Sequence, residues 1–278
     1  MDSVIVVNKE KNRTSRDIVN DLNKILGTKK IGDTGTLDPI ATGVLVICVG
    51  KYTKLVNLLT SLDKEYIATI KLGIRTDTLD ITGNVIEEQS FNVDKEAVIN
   101  TLNSFLGSSI QKVPAYSAVK INGKKLYEYA LNNESVELPK RTITVNSIEL
   151  LEFKDDIIKF KVNVSKGTYI RSLIGDICTK LNTVGTMESL ERTKQGKFDI
   201  KDSYTILDIK NNNYKALNVK ELFDYKVIEL NNNEYFRVKN GNFINIDLED
   251  QLVILTYQNK DIAIYEIKDK IAKSYIML

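Results

Sequence analysis

Two periods of hydrophobic and polar residues predict the strands and helices of the first two thirds of the chain. In residues 64–72 every second side chain from Tyr66 onward is apolar, and residues 158–164 alternate in the same way. A period of two predicts strands with one buried face, as in antiparallel sheets. Apolar residues recur at helical spacing in three further segments, at residues 18–26, 94–106 and 170–181. We predict amphipathic helices there.

The last third of the chain has a different composition. From about Asn211 the chain is rich in asparagine, and after Val227 it contains only short strand-like runs. No internal repeat is present. We therefore predict three parts, an N-terminal domain over residues 1–210, a linker over 211–226 and a small β-rich domain over 227–278.

The composition of 42% hydrophobic and 27% charged residues is typical of a globular protein in water. The sequence has no apolar run long enough to span a membrane and no charged-then-apolar signal peptide. Cys48 and Cys178 both lie in apolar segments, which favours buried thiols in a reducing compartment. We predict a cytoplasmic protein without a membrane partner. A net charge of +2 does not by itself indicate a nucleic-acid partner.

The absence of histidine from all 278 residues excludes several mechanisms. Catalysis by a Ser-His-Asp or Cys-His arrangement is impossible, and so is a zinc site with histidine ligands. Acid–base chemistry must therefore use Asp, Glu, Tyr, Lys or Cys side chains.

Residues 31–45 contain three glycines, two aspartates and a proline. Pro39 restricts Asp38 to extended or turn conformations, just before an apolar, strand-like run. A carboxylate fixed in this way is a candidate catalytic group. The composition of the loop fits equally well with a tight turn whose aspartates accept hydrogen bonds from the local backbone.

Charged residues elsewhere suggest two further interactions. Arg171 lies in the first turn of a predicted helix, where the helix dipole does not favour a cation, so we expect a carboxylate partner. Between Gln111 and Asn133, tyrosines are mixed with lysines. Phosphate contacts and base stacking would suit a single-stranded nucleic acid there, although an ordinary solvated strand and helix could have the same composition.

Several blocks of residues, in the same order along the chain, resemble the bacterial tRNA pseudouridine-55 synthases, the TruB family. The agreement extends from about Lys9 to Gly196 and is far more specific than any single block. The blocks are Gly32-x-Thr34-Gly35-x-Leu37-Asp38-Pro39-x-Ala41-Thr42-Gly43, Gly50-x-x-Thr53-Lys54, Lys64-x-Tyr66, Leu72-Gly73-x-x-Thr76-Asp77-Thr78-x-Asp80, Gln111-x-x-Pro114-x-Tyr116-Ser117-Ala118-x-Lys120-x-x-Gly123-x-x-Leu126-Tyr127, Gly167-Thr168-Tyr169-Ile170-Arg171 and Leu190-x-Arg192-Thr193-x-x-Gly196.

The resemblance implies an α+β protein with the pseudouridine synthase fold, which is a mixed, mostly antiparallel sheet with flanking helices and a central cleft. It implies an RNA-gripping segment at about residues 111–140 and a PUA-like RNA-binding domain at 227–278. In the implied reaction, a uracil of the tRNA T stem-loop, at position 55, is detached from its ribose, rotated and rejoined through carbon. No cofactor, metal or obligate protein partner is implied, and a monomer is favoured.

The resemblance also implies roles for individual residues. Asp38 would be the nucleophile, a role that a carboxylate can fill without a helper base. Arg171 would pair with Asp38 and hold it ionised, and Tyr66 would stack on the flipped uracil. Seven further residues would contact the substrate, and these are Leu190, Tyr169, Lys54, Asp80, Lys120, Arg192 and Asp33.

Asp33 and Leu131 depart from the family pattern. Relatives usually have histidine at the position of Asp33, and a carboxylate there cannot stack on a base and would repel phosphate. We expect Asp33 either to face solvent or to accept hydrogen bonds from backbone donors. Leu131 replaces a common arginine, so one phosphate contact is missing.

Three alternative functions use the same residues differently. Asp33-Thr34-Gly35 matches the aspartic-protease signature, but such a protease needs two facing carboxylates and the sequence has one such tripeptide. A non-catalytic RNA-binding or tRNA-folding protein would not need the implied catalytic residues. A guide-RNA-dependent uridine isomerase would need them, but the short C-terminal region favours a stand-alone enzyme.

Overall fold

The computed structural model describes residues 2–132 and 134–278, so Met1 and Asn133, two residues of the predicted N-terminal domain, lie outside it. The strands are β1 (Ser3–Lys9), β2 (Ile31–Asp33), β3 (Thr42–Val49), β4 (Lys64–Leu72), β5 (Ile74–Thr76), β6 (Val85–Glu88), β7 (Gly107–Lys112), β8 (Lys120–Ile121), β9 (Lys124–Lys125), β10 (Lys140–Lys154), β11 (Ile157–Val164), β12 (Gly185–Gln195), β13 (Phe198–Asp199), β14 (Lys226–Glu229), β15 (Ile244–Asn245), β16 (Gln251–Tyr257), β17 (Lys260–Lys268) and β18 (Ile271–Met277). The helices are α1 (Ser15–Ile25), α2 (Val56–Thr60), α3 (Lys95–Asn103), α4 (Leu126–Leu131), α5 (Ile170–Lys180), α6 (Ile206–Lys210), α7 (Val219–Leu222) and α8 (Asn232–Lys239), with 3-10 turns at Gly50–Leu55 and Ile200–Asp202. None of these helices is long and apolar enough to cross a membrane.

A nine-stranded sheet forms the centre of the molecule. Its strands follow the order β1-β3-β12-β4-β11-β10-β7, with β2 beside β3 and β13 beside β12. β3 and β12 pair in parallel, and the other pairs in this sheet are antiparallel. The sheet is therefore mixed and mostly antiparallel, which confirms the predicted α+β fold.

The alternating pattern of β4 and β11 buries one face of this sheet. Tyr66, Ala68 and Ile70 of β4 lie in the same core cluster as Phe160 and Val162 of β11. Helices α3 and α5 supply the apolar side chains that cover this face. The residues predicted to form half-buried strands thus do so because the helices exclude water from one side.

Helix α1 covers most of the predicted helical segment at 18–26 and begins three residues before it. The Thr14 hydroxyl accepts a hydrogen bond from the Asp17 amide at 3.0 Å, and Gly27 beyond the helix end adopts a φ of +64°. The apolar side of α1 packs on β1 and β3. This packing places the start of α1 beside the loop that follows β2.

A second, five-stranded sheet in the order β14-β16-β17-β18-β15 forms the C-terminal part. It packs on the first sheet through a shared apolar cluster, and the Tyr52 hydroxyl donates to the Asp261 carboxylate at 2.9 Å. The segment predicted as a linker contains α7, whose Val219 and Leu222 are buried in that cluster. The region predicted to be β-rich also contains the helix α8.

Candidate active site

Asp38 lies in the loop between β2 and β3, and hydrogen bonds fix the main chain on both sides of it. The Leu37 amide donates to the hydroxyl of Ser15, the first residue of α1, at 2.9 Å. The Asn12 amide, from the connection before α1, donates to the Pro39 carbonyl at 2.8 Å. Because Pro39 also restricts the residue before it, the Asp38 side chain projects from stiff backbone.

Lys9 supports the same loop from beneath. Its side chain is fully buried, and its ammonium donates to three carbonyls, those of Pro39 at 3.3 Å, Glu10 at 2.9 Å and Arg13 at 2.6 Å. Burial lowers the pKa of Lys9 to about 8, and the charge of Asp38 opposes this shift. Lys9 therefore ties the end of β1 to the residue after Asp38.

Arg171 faces Asp38 with two of its nitrogens. Its Nε lies 2.9 Å from Oδ2 of Asp38, and its Nη2 donates to Oδ1 at 3.1 Å. The guanidinium also donates to the carbonyls of Thr78 at 3.0 Å and Tyr116 at 2.9 Å. Asp38 is thus the carboxylate that we expected beside Arg171 at the start of α5. The two side chains form a bidentate pair, in which two guanidinium nitrogens face two carboxylate oxygens.

The first turn of α5, which carries Arg171, is held by the amide side chain of Gln111. The Tyr169 amide donates to Oε1 of Gln111 at 2.8 Å, and Nε2 of Gln111 donates to the Tyr169 carbonyl at 3.1 Å. Gln111 is buried at the end of β7. Its two bonds fix the backbone from which the guanidinium projects.

The pKa of the Asp38 carboxyl is raised above its ordinary value. Burial is the largest cause, and the charge of Asp80 adds to the rise, whereas Arg171 and Lys9 oppose it. Arg171 therefore favours the ionised form, as expected, but burial has the larger effect on the pKa. The side chain of Asp38 keeps 33% of its surface exposed, so a substrate can reach it.

Asp38 borders two adjoining hollows. A cleft of about 520 Å³ has Asp38, Tyr66, Tyr169 and Arg171 in its walls. A recess of about 110 Å³ shares these four residues and is closed by Leu190. The structure thus brings these five predicted site residues together, and Arg192 is a sixth at the cleft wall. Apolar and aromatic walls with a few polar groups suit a flat heterocyclic base.

Arg192 of β12 lies opposite Tyr66 in the register of β12 with β4. Its side chain is 1% exposed. Its Nε donates to the Val44 carbonyl at 2.6 Å and its Nη2 to the Gly35 carbonyl at 2.8 Å. Arg192 borders the cleft, but these two bonds hold the protein's own backbone.

Asp80, predicted to contact the substrate, is buried and closes a turn. Its Oδ1 accepts hydrogen bonds from the Thr82 amide at 3.0 Å, the Thr82 hydroxyl at 2.5 Å and the Thr78 hydroxyl at 3.1 Å. The carbonyl of Thr78 in this turn receives a bond from Arg171. The structure therefore places Asp80 behind the site, where it shapes the turn that binds the guanidinium.

Asp33 accepts hydrogen bonds from the loop that follows it. Its Oδ2 lies 3.3 Å from the Gly35 amide and 3.4 Å from the Thr36 hydroxyl. We expected Asp33 either to face solvent or to accept hydrogen bonds from backbone donors, and the structure has the second arrangement. The carboxylate thus serves as the cap of a local turn.

Two predicted substrate contacts lie outside the cleft walls. The Lys54 ammonium donates to the Met277 carbonyl of β18 at 2.7 Å, so it joins the two sheets. Lys120 is exposed in β8, just after the residues of the cleft wall at 116–119. The structure does not bring either lysine to Asp38.

The sequence interpretation missed the supports of the site, namely Lys9, Ser15, Gln111 and Lys64. Lys9 is the last residue of the apolar strand β1. A lysine at the end of a strand is usually exposed, so the sequence gives little indication that this one is buried. Ser15 lies three residues before the first apolar position of the predicted helix at 18–26, and nothing in that pattern indicates its contact with Leu37. Gln111 and Lys64 belong to the family blocks, which was the available signal. The contact of Gln111 with Tyr169 depends on the tertiary fold, whereas the ammonium of Lys64 binds nearby carbonyls of its own chain segment.

Comparison with known proteins gives the same family as the motifs. The model of the TruB family pseudouridylate synthase N-terminal domain matches residues 23–170. The tRNA pseudouridine synthase B of Fusobacterium nucleatum is 43% identical over 277 residues, which cover 97% of this chain and 96% of the relative. The enzyme of the same name from Clostridium tetani is 47% identical over 247 residues, covering 87% and 85%.

Solved structures show the same fold at lower identity. The protein in a Cbf5-Nop10-Gar1 complex aligns with a TM-score of 0.75 at 24% identity, over 99% of this chain and 84% of that one. A chain of an H/ACA ribonucleoprotein bound to a substrate RNA containing 2′-deoxyuridine aligns with a TM-score of 0.73 at 22% identity, over 99% and 84%. Because the family model covers more than half of the chain and the relatives match nearly all of it, this chain belongs to the TruB family of pseudouridylate synthases.

Proposed function

We propose that this protein isomerises a uridine of tRNA to pseudouridine, with Asp38 as the nucleophile. The observation that carries the proposal is the pairing of Asp38 with Arg171 at the wall of a small recess. Tyr66 and Leu190 line the same recess. The family membership and the names of the two relatives support tRNA as the substrate.

The reaction needs a nucleophile and a place for a detached base. The bond between N1 of uracil and C1′ of ribose breaks, the base turns, and a bond forms between C5 and C1′. A proton leaves C5 and another is taken up at N1, so the product is an isomer and no redox partner is consumed. The Asp38 carboxylate is the nucleophile, and the bond that it forms to the substrate breaks again before the product leaves, so the carboxylate is regenerated. The recess holds the base between Tyr66 and Leu190 while it turns.

Arg171 is a positioning residue in this proposal. Its two contacts to Asp38 orient the carboxylate, and its charge lowers the pKa of Asp38 against the effect of burial. Without this cation a half-buried carboxylate would take up a proton more readily and lose its nucleophilic form. The bonds of Arg171 to Thr78 and Tyr116 keep the guanidinium in place.

The target uridine must leave its stack to reach the recess, because the atoms that react are not accessible inside a stacked stem-loop. Enzymes that act on a base pay a few kcal/mol for flipping it and recover that cost in the pocket. Residues 116–119 and 127, which belong to the predicted RNA-gripping segment, line the cleft. We propose that this segment grips the T stem-loop, and that the reacting base is uridine 55.

We extend the proposal to the organisation of the chain. Residues 1–210 would form the catalytic domain, 211–226 would connect it, and 227–278 would form the PUA-like RNA-binding domain. The five-stranded sheet supports a separate C-terminal unit, although α7 packs into the cluster between the sheets. We also propose a cytoplasmic monomer without an obligate protein partner, which size-exclusion chromatography with light scattering would test.

The experiment uses the purified full-length protein, an unmodified tRNA transcript and no guide RNA. We expect one pseudouridine per transcript, located at position 55 by chemical mapping, and none in a transcript with cytidine at that position. Absence of product would contradict the proposal. Product that forms only after addition of a guide RNA would favour the guided alternative, and binding without product would favour a tRNA-folding role.

A further inference from the structure

Two buried cations border the cleft beside the loop that carries Asp38. Lys64 is 6% exposed and Arg192 is 1% exposed, and both are wall residues of the 520 Å³ cleft. Among the described residues, neither has a carboxylate oxygen within 4.0 Å of a charged nitrogen. Buried cations without a counter-ion are costly, so their presence at a substrate cleft needs a reason.

The side chains of both residues approach one point of the cleft wall, at Gly35, Arg192 with a guanidinium nitrogen and Lys64 with the methylene group that carries its ammonium. A Cβ atom on Gly35 would lie 3.5 Å from Nη1 of Arg192 and 4.0 Å from Cε of Lys64. Gly35 has no such atom, and its φ of +147° disfavours residues that do. The glycine therefore leaves space beside both cations, three residues before Asp38.

Each cation keeps donors that no described residue of the chain uses. The Lys64 ammonium, with three N–H donors, gives two of them to the carbonyls of Thr60 at 2.5 Å and Leu62 at 2.6 Å. Arg192 uses Nε and Nη2 for backbone carbonyls, which leaves Nη1 on the side of Gly35. Two positively charged donor groups can form charge-assisted hydrogen bonds to phosphate oxygens.

The charges around Lys64 also favour an anion. Burial lowers the pKa of Lys64 to about 8, and the charge of Arg192 is the next largest cause in the same direction. The charge of Asp63 opposes the shift, and Lys166 adds a smaller lowering effect. An anion placed beside these groups would offset their mutual repulsion. Lys166 is exposed next to cleft residues 165 and 167, so the positive region continues to the rim.

We propose that Lys64 and Arg192 form a phosphate subsite at Gly35, which holds one phosphodiester group of the RNA next to the flipped nucleotide. This inference rests on the proposed function, since it takes RNA as the ligand. Through its other two bonds, Arg192 holds the backbone of the loop that carries Asp38. A phosphate bound there would fix the ribose relative to the nucleophile while the base turns.

The experiment replaces single phosphates of the RNA without altering the protein. Each T stem-loop RNA carries one uncharged methylphosphonate linkage in place of a phosphodiester. A set of four such RNAs places it at the first or second linkage on the 5′ side, or at the first or second linkage on the 3′ side, of the target uridine. Binding is measured to the Asp38→Asn protein, so that chemistry does not disturb the equilibrium. We expect one of these linkages to weaken binding about tenfold, as the loss of one charge-assisted contact would.

The same RNAs are then bound to Lys64→Met in the Asp38→Asn background. We expect the sensitive linkage to lose its effect, and the slope of log K against log salt to decrease by about 0.7 to 0.9. The matched control is Lys161→Met, which removes an exposed lysine of β11 that pairs with Glu65, and it should keep the linkage effect. If Lys64→Met does not fold, Lys64→Gln, which keeps donors for the two carbonyls but no charge, takes its place.

Two outcomes would overturn the subsite. Either no single linkage matters near the target uridine, or the sensitive linkage has the same effect with and without the Lys64 charge. If RNA with natural linkages binds and is converted by the unaltered protein, such a result refutes the subsite alone. If that RNA is neither bound nor converted, the proposed function itself has failed.

Discussion

The Asp38 loop and the segment 113–132 border the same cleft but are stabilised to different degrees. In the loop, Leu37, Ile40 and Ala41 are all buried, and Ser15 accepts a hydrogen bond from the backbone next to Asp38. In the segment, Leu131 is 66% exposed, and the buried hydroxyl of Ser117 has no hydrogen-bond partner among the described residues. The segment has buried residues of its own, Val113 and Leu126, but at Leu131 and Ser117 it is less tightly held than the loop is next to Asp38.

This difference separates the two tasks of the enzyme. A nucleophile is most effective when its geometry is fixed before the substrate arrives. A segment that grips a folded RNA gains from adjusting to it. Arg171 links the two regions, because it donates both to Asp38 and to the Tyr116 carbonyl.

Among the residues that support Asp38, we expect the loss of Arg171 to slow the reaction most. In Arg171→Met, Asp38 loses its only described ion-pair partner, and the carbonyls of Thr78 and Tyr116 lose a donor. We expect single-turnover conversion to slow by about 10²-fold or more, the cost of misplacing a reacting group. Arg75→Met, which removes an exposed pair with Glu87 on the small β5–β6 sheet, should leave the rate unchanged. Equal loss in both variants would contradict the role of Arg171.

The pH dependence of the rate should report the environment of Asp38. Since burial raises its pKa and the ionised form is the nucleophile, activity is full above that pKa and falls about tenfold per pH unit below it. The decline should begin above the 3.8 of an ordinary aspartate. In Arg171→Met it should begin at still higher pH, because the guanidinium opposes the rise. Single-turnover rates at a series of pH values measure this, and a shift to lower pH would reverse the sign we assign.

Replacing one buried serine in contact with each region compares how much the two regions contribute to the free energy of unfolding. Ser15→Ala leaves the Leu37 amide without its acceptor, so we expect a loss of about 1–3 kcal/mol in the free energy of unfolding, measured in urea, and a slower conversion. Ser117→Ala removes a hydroxyl that has no partner in the described part of the chain and should leave stability equal or slightly higher. Equal destabilisation by the two changes would remove the distinction between the regions.

The smallest effect is expected at Asp33. Its carboxylate accepts bonds from Gly35 and Thr36, and an asparagine oxygen can accept the same bonds. We therefore expect Asp33→Asn to change tRNA affinity by less than about twofold, the size of a few tenths of a kcal/mol. Lys120→Ala, in the exposed β8, should instead lower the salt slope by about 0.7 to 0.9. Clearly tighter binding by Asp33→Asn would mean that this carboxylate faces phosphate.

The sequence was informative where local pattern and motif coincide. Alternation predicted β4 with its buried face, and the density of glycine and proline drew attention to Asp38. The position of Arg171 at a helix start indicated a carboxylate partner, because a cation there is unfavourable without one. These features depend on a few neighbouring residues, so they can be read along the chain.

Other features depend on contacts between distant residues. The segment 211–226 is rich in asparagine, and its composition conceals that Val219 and Leu222 are buried between the two sheets. Family blocks contain Lys54 and Asp80, but a block does not tell whether a side chain faces the cleft, the second sheet or a turn. Here Lys54 binds β18 and Asp80 closes a turn.

The most direct test of the account is the conversion of tRNA by Asp38→Asn. Asparagine keeps the size of the side chain and can still accept a hydrogen bond from Arg171, but it is not a nucleophilic carboxylate. We expect tRNA binding to be retained while pseudouridine formation falls by about 10⁴-fold or more. Substantial pseudouridine formation by Asp38→Asn, with binding intact, would show that another group is the nucleophile.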